Sequence, residues 1–183
     1  MNFIILTGGT SRRFGSDKSA ALLNGKSLLE TLVDNLPPGD LIIVGPKGPI
    51  TARYVREEPI HSGPVAAIGA AISHCDSESI GIFATDMPFA PKLLPQLEAN
   101  LKDDAAIPVD KEGHLQPLAG LYRRVALANA LASYESLVDQ SMKSLLAKLK
   151  INEVPLAETE LLIDIDTNEA LLEAIALQSR LGL

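Results

Sequence analysis

The sequence has no tryptophan, one cysteine, three histidines and only 4% aromatic residues, and each scarcity excludes something. A single cysteine, Cys75, cannot close an intrachain disulfide, and its Ala-rich apolar setting marks it as a small buried thiol, which fits a reducing compartment. His61, His74 and His114 stand far apart without metal-ligand spacing, and no Gly-x-Ser-x-Gly elbow occurs, so zinc and serine-hydrolase chemistry have no support. No apolar run approaches the roughly 20 residues that span a bilayer. Met1-Asn2-Phe3-Ile4-Ile5-Leu6 carries no basic n-region and runs straight into Gly8-Gly9, so a cytoplasmic protein is expected. Cations are in the minority, 16 Lys and Arg against 23 Asp and Glu for a net charge of −7. That balance disfavours nucleic acid or an anionic membrane as partner.

What is present is aliphatic: 46% of the 183 residues are hydrophobic. With so few rings the core must be built from Leu, Ile, Val and Ala, and the length suits a single domain over residues 1–183. The charge is segregated. Residues 1–26 carry Arg12, Arg13, Lys18 and Lys26 against Asp17, whereas residues 151–183 carry seven carboxylates against Arg180.

Apolar runs alternate with helical patterns. Phe3 to Leu6 predicts a buried strand, and Ser27 caps a helix over 27–35 that Pro37-Pro38-Gly39 stop. Strands are expected at 41–44, 80–84, 105–109, 151–154 and 161–163. Helices are expected from Gly63-Pro64 to about His74 and at 91–100, 125–134, 144–149 and 169–180. Lys111 to His114 reads as a turn into a strand carrying Gln116-Pro117-Leu118, the one antiparallel region. Alternation of this kind predicts a right-handed, mostly parallel sheet between helices.

The stretch Leu6-Thr7-Gly8-Gly9-Thr10-Ser11-Arg12-Arg13-Phe14-Gly15-Ser16-Asp17-Lys18 follows the first strand, where open α/β sheets bind ligands. Glycines let main-chain N–H groups approach an anion, and Arg13 and Lys18 can neutralise phosphate oxygens. Two residues separate Gly15 from Lys18, which excludes a Walker loop, and the glycine spacing is not that of a dinucleotide fingerprint.

This loop resembles that of the molybdenum cofactor guanylyltransferases and similar small nucleotidyltransferases. Leu6, Gly8, Gly9, Ser11, Arg13, Gly15, Asp17 and Lys18 satisfy every fixed position of their amino-terminal signature. Further blocks extend the resemblance to about Leu172. Glu57-Glu58-Pro59 with Ser62-Gly63-Pro64 looks like the second block, with Glu58 and Gly63 near the nucleotide, although Gly63-Pro64 also reads as a plain helix start. Thr85-Asp86-Met87-Pro88 resembles the metal-binding Asp-x-Pro block, with helix capping as the competing role for Asp86. Asp164-Ile165-Asp166-Thr167-Asn168-Glu169 resembles the last block, except that Asn168 replaces its proline. Asp164 and Asp166 share one side of an extended segment and are further metal candidates, with Thr167 or Asn168 as a simple cap.

The resemblance implies a Rossmann-like three-layer α/β/α nucleotidyltransferase fold, mostly parallel with one antiparallel strand. It implies Mg2+ as cofactor, GTP as donor, a molybdopterin-type acceptor, and transient contact with cofactor-delivery proteins. Lys18, Arg13 and Asp86 are the expected catalytic residues. Leu6, Gly8, Gly9, Ser11, Gly15, Glu58 and Gly63 join them in holding the nucleotide. Transfer of cytidylate or another nucleotide to a different phosphorylated acceptor is the alternative, as is a noncatalytic nucleotide-binding partner.

Overall fold

The computed structural model describes residues 1–7, 22–157 and 159–181. In chain order the elements are β1 (Asn2–Leu6), β2 (Leu22–Leu23), β3 (Lys26–Ser27), α1 (Leu28–Asp34), β4 (Asp40–Val44), β5 (Arg53–Val55), α2 (Pro64–Ile72), β6 (Ser79–Ala84), α3 (Leu94–Asn100), β7 (Ala105–Val109), β8 (Ala119–Arg123), α4 (Arg124–Ala132), α5 (Met142–Leu146), β9 (Ile151–Pro155) and α6 (Asn168–Leu181). Seven of these strands form one sheet in the order β5-β4-β1-β6-β8-β7-β9, with β8 antiparallel to both of its neighbours and the other pairings parallel.

Alternation along the central strands divides the core between two faces. Phe3, Ile5, Ile43 and Phe83 pack with Leu28 and Leu32 of α1, Leu94 and Leu97 of α3, and Ala174 and Leu177 of α6. Ile4, Leu6, Ile42, Val44, Ile80 and Ile82 pack with Val65 and Ile68 of α2, Leu127 and Leu131 of α4, and Leu145 of α5. Every residue of β1 is buried, which is why the strand reads as an unbroken apolar run, and each such large side chain contributes about 1.5–3 kcal/mol. Cys75 is among the buried residues, and desolvation pushes its thiol up to about 11, so it stays protonated.

Local chemistry sets the element ends. Ser27 and Glu30 form a reciprocal capping box at α1, the Ser27 hydroxyl accepting from the Glu30 N–H and the Glu30 carboxylate from the Ser27 N–H. Thr167 Oγ1 accepts from the Ala170 N–H at 3.1 Å and so caps α6. Gly63 precedes Pro64 of α2 with φ 88°, a left-handed conformation that glycine adopts without strain.

Four expectations from the sequence need correction. The run 161–163 is not a strand: Leu161 and Leu162 are both buried in a 3-10 turn over Thr159–Leu162, whereas a half-buried strand would alternate. The antiparallel strand starts at Ala119 and not at Gln116, since Pro117 has no N–H for a ladder and only an isolated bridge joins Val109 to Leu115. The helix expected at 144–149 begins at Met142, because Ser141 is its cap and accepts from the Ser144 N–H. Finally, the sheet gains β5, a three-residue strand at one edge whose Arg53-Tyr54-Val55 carries no apolar run.

Candidate active site

The strands β1, β4 and β6 run parallel, so their carboxyl ends open on one edge of the sheet. There the chain is tied by threonines on both sides of β1. Thr7 donates to the Val44 carbonyl from its N–H at 3.1 Å and from its hydroxyl at 2.9 Å. Thr85 donates to the Leu6 carbonyl in the same two ways, at 3.1 and 2.8 Å. Gly45 follows β4 so closely against Thr7 that a Cβ there would collide with the Thr7 hydroxyl, so the sheet edge requires glycine at this position.

A cleft of about 1640 Å3 opens over this edge. Single small-molecule sites occupy roughly 300–1,000 Å3, so there is room for two substrates side by side. Leu6, Gly63 and Asp86 line it, whereas Glu58 is exposed outside it and its neighbour Glu57 forms part of the wall, accepting the His61 N–H at 3.0 Å. The start of α2 also faces the cleft through Gly63 and Pro64 and has no side-chain cap. The positive end of a helix so placed favours an anion. Gly8, Gly9, Ser11, Arg13, Gly15, Asp17 and Lys18 lie outside the described residues.

Asp86 follows β6 by two residues, and its carbonyl accepts the Ile165 N–H at 2.9 Å. This bond brings two distant blocks together, 85–88 and 164–169. Ile165 is fully buried, while Asp164 on one side of it lines the cleft with Asp86. Asp166 is half-buried and does not line the cleft, and among the described residues no three His, Cys, Asp or Glu side chains converge as a metal-holding group. Asp86, Asp164 and Asp166 are therefore not one cage. Asp86 and Asp164 are nonetheless hard oxygen donors, which fits a magnesium ion that completes its shell with water and phosphate oxygens.

The described wall is acidic. Eight carboxylates (Glu30, Glu57, Asp86, Asp110, Glu112, Glu160, Asp164 and Glu173) face three cations, Lys47, Lys111 and Arg180, and Arg180 is itself paired with Glu160 at 2.6 Å. A polyphosphate can enter such a cleft only with further positive charge. In the sequence that charge sits at Arg12, Arg13 and Lys18, directly after β1.

Beyond Asp86 the wall continues through the segment that leads into β8, held to the sheet by the Ala84 N–H donating to the Leu118 carbonyl at 2.9 Å. Asp110 closes the turn before it. Its Oδ1 accepts the Glu112 and His114 N–H groups at 2.8 and 2.9 Å, and its Oδ2 accepts Gln116 Nε2 at 2.8 Å. These bonds, the His114 N–H foremost, hold the Asp110 carboxyl below the usual carboxylate range. Asp110 and Lys47 are cleft residues that the sequence did not single out, and Glu57 lines the cleft where the sequence favoured its neighbour Glu58. An Asp opening a turn that ends in Gly113 is a readable Asx-turn signal, but the link to Gln116 is tertiary.

Residues 3–154 match the model of the MobA-like NTP transferase domain. A probable molybdenum cofactor guanylyltransferase of Geobacillus sp. (strain WCH70) is 34% identical over 165 residues, covering 82% of this chain and 84% of that protein. One from Synechococcus elongatus is 29% identical over 185 residues, covering 91% and 95%. The crystal structure of molybdopterin-guanine dinucleotide biosynthesis protein A from Archaeoglobus fulgidus superposes with a TM-score of 0.77 at 24% identity, covering 98% of this chain and all of that one, and so shares the fold.

Proposed function

We infer the reaction from one premise: the chain belongs to the family of MobA-like NTP transferases. It is a nucleotidyltransferase, and it transfers GMP from GTP to the molybdenum-molybdopterin cofactor, giving molybdopterin guanine dinucleotide and pyrophosphate. The observation that best supports a site for this chemistry is Asp86, at the end of the strand beside β1, in an acidic cleft large enough for both substrates.

In this reaction a terminal phosphate oxygen of the acceptor bonds to the α-phosphorus of GTP. The bond from that phosphorus to the oxygen bridging toward the β-phosphate breaks, and pyrophosphate leaves with the electron pair. No covalent enzyme intermediate is needed, so positioning and electrostatics supply the catalysis. Main-chain N–H groups of Gly8 and Gly9 and the side chain of Ser11 hold the phosphates, with Gly15 permitting close approach. Arg13 and Lys18 offset the charge that develops on them. Leu6 and Gly63 border the nucleotide. Asp86 would hold a magnesium ion, with Asp164, which also lines the cleft, and Asp166 as further candidate carboxylates, and the ion would supply neutralisation of phosphate oxygens when bound. Delivery proteins meet the same cleft when they hand over the labile pterin.

Guanine preference is tested by thermal shift. With magnesium, GTP at a hundred-fold excess over its Kd stabilises by about 2.7 kcal/mol, a rise of roughly 5–10 °C for a chain of this size. CTP and ATP at the same concentration are expected to give clearly smaller rises. Equal shifts from all three would rule out selection for guanine.

No helix among the described residues is long and apolar enough to cross a membrane.

A further inference from the structure

Asp86 sits in a turn whose direction is set by bonds to neighbouring segments. The Met87 N–H donates to the Ala84 carbonyl at 3.1 Å, so Thr85 and Asp86 are the two central residues of a tight turn at the end of β6. That bond shapes the turn but does not aim it, because it joins residues of the same strand end. On one side the Asp86 carbonyl accepts the Ile165 N–H at 2.9 Å. On the other, Thr85 donates to the Leu6 carbonyl from its N–H at 3.1 Å and from its hydroxyl at 2.8 Å.

The N–H bond continues the parallel ladder one step beyond the Leu6–Ala84 pair, and any residue except proline could make it. The hydroxyl bond depends on the side chain. It fills the second lone pair of the Leu6 carbonyl, and because threonine is β-branched it also fixes χ1. The residue before Asp86 is thus tied by side chain as well as main chain to the last residue of β1, directly before the glycine-rich segment in the sequence. A carboxylate that shares an ion with a polyphosphate must keep a fixed distance from the groups that hold the polyphosphate, since a displacement of about 1 Å can cost a hundred-fold in rate.

We propose that Thr85 is a positioning residue for the ion site: by holding the Leu6 carbonyl, its hydroxyl keeps the Asp86 carboxylate at the separation from the end of β1 that a metal–nucleotide complex requires. This assignment rests on the reading that Asp86 carries the ion, and it concerns binding of that complex and not turnover.

The probe is GTP carrying a fluorescent N-methylanthraniloyl group, whose affinity is measured once with Mn2+ and once in EDTA, without acceptor. Thr85→Val keeps the branched shape and gives up the hydroxyl, and its methyl needs more room beside the carbonyl oxygen than the 2.8 Å that the hydroxyl occupies. It is expected to weaken binding with Mn2+ about ten-fold, as suits the loss of one hydrogen bond and the displacement that follows. Thr85→Ser restores the donor and should stay within about three-fold of wild type. Affinity in EDTA should be the same in all these proteins, which also shows that each has folded. Thr85→Ala adds no bulk beside the carbonyl, should show the same ten-fold loss, and serves if Thr85→Val does not fold. In an Asp86→Asn background, Thr85→Val should cost less than about two-fold more, because a residue that acts through its neighbour has nothing left to position.

Unchanged binding with Mn2+ in Thr85→Val and Thr85→Ala, a serine variant as weak as the valine one, an equal loss in EDTA, or a full further loss in the Asp86→Asn background would each overturn the assignment. Asp86→Asn by itself separates the two failures. If it leaves binding with Mn2+ unaltered, the ion assignment is wrong and this inference falls with it, whereas a loss there with none in the Thr85 variants refutes the role of Thr85 alone.

Discussion

Replacing Lys18 with alanine is expected to lower kcat by about a thousand-fold or more, the upper range for removing one group that stabilises transition-state charge. The described cleft wall makes this loss severe, because eight carboxylates already face three cations there and one of those cations is committed to Glu160. Of the two cations assigned to the phosphates, Arg13 alone is then left when charge builds on the leaving pyrophosphate. Steady-state pyrophosphate release measures the effect, and an unshifted melting midpoint shows that the fold is retained. Wild-type activity in the purified, folded variant would remove Lys18 from the mechanism.

Asp86→Asn is expected to lower turnover by about a hundred- to a thousand-fold and to raise the magnesium concentration needed for half-maximal rate. Asparagine keeps the shape of the side chain and gives up its charge. The structural link through this residue is untouched, since Ile165 donates to the Asp86 main-chain carbonyl and not to its carboxylate. A variant with an unaltered magnesium titration would show that Asp86 only shapes the strand end.

Most of the architecture was legible because the core strands advertise themselves. Phe3 to Leu6 and Ile80 to Ala84 are buried on both faces, and a strand of that kind cannot hide its apolar run. Edge and accessory elements were harder. Arg53–Val55 pairs on one side only and is three residues long, too short for its Tyr54 and Val55 to set a period. The β2–β3 hairpin carries a local signal: Asn24-Gly25 takes positive φ at both residues, 50° and 86°, as a two-residue hairpin turn requires.

The site divides in the same way. Asp86 could be placed from the sequence because it closes a recognisable strand. The approach of Asp164-Ile165-Asp166 to it could be guessed only from a resemblance, since one hydrogen bond over a long sequence separation establishes it. Local pattern gave Glu57 and Glu58 equal standing, and which of the two lines the cleft depends on how the chain turns before α2. The partner of Gln116 is hidden for a related reason: nothing local shows that the Asp110 carboxylate six residues earlier holds its side chain.

The account stands or falls on where the α-phosphate of GTP goes. With GTP labelled at that phosphate, magnesium and molybdopterin, the purified protein should move the label into a guanine dinucleotide of the pterin and release pyrophosphate in equal amount. Label that stays in GTP, or that appears only as free GMP, would contradict it.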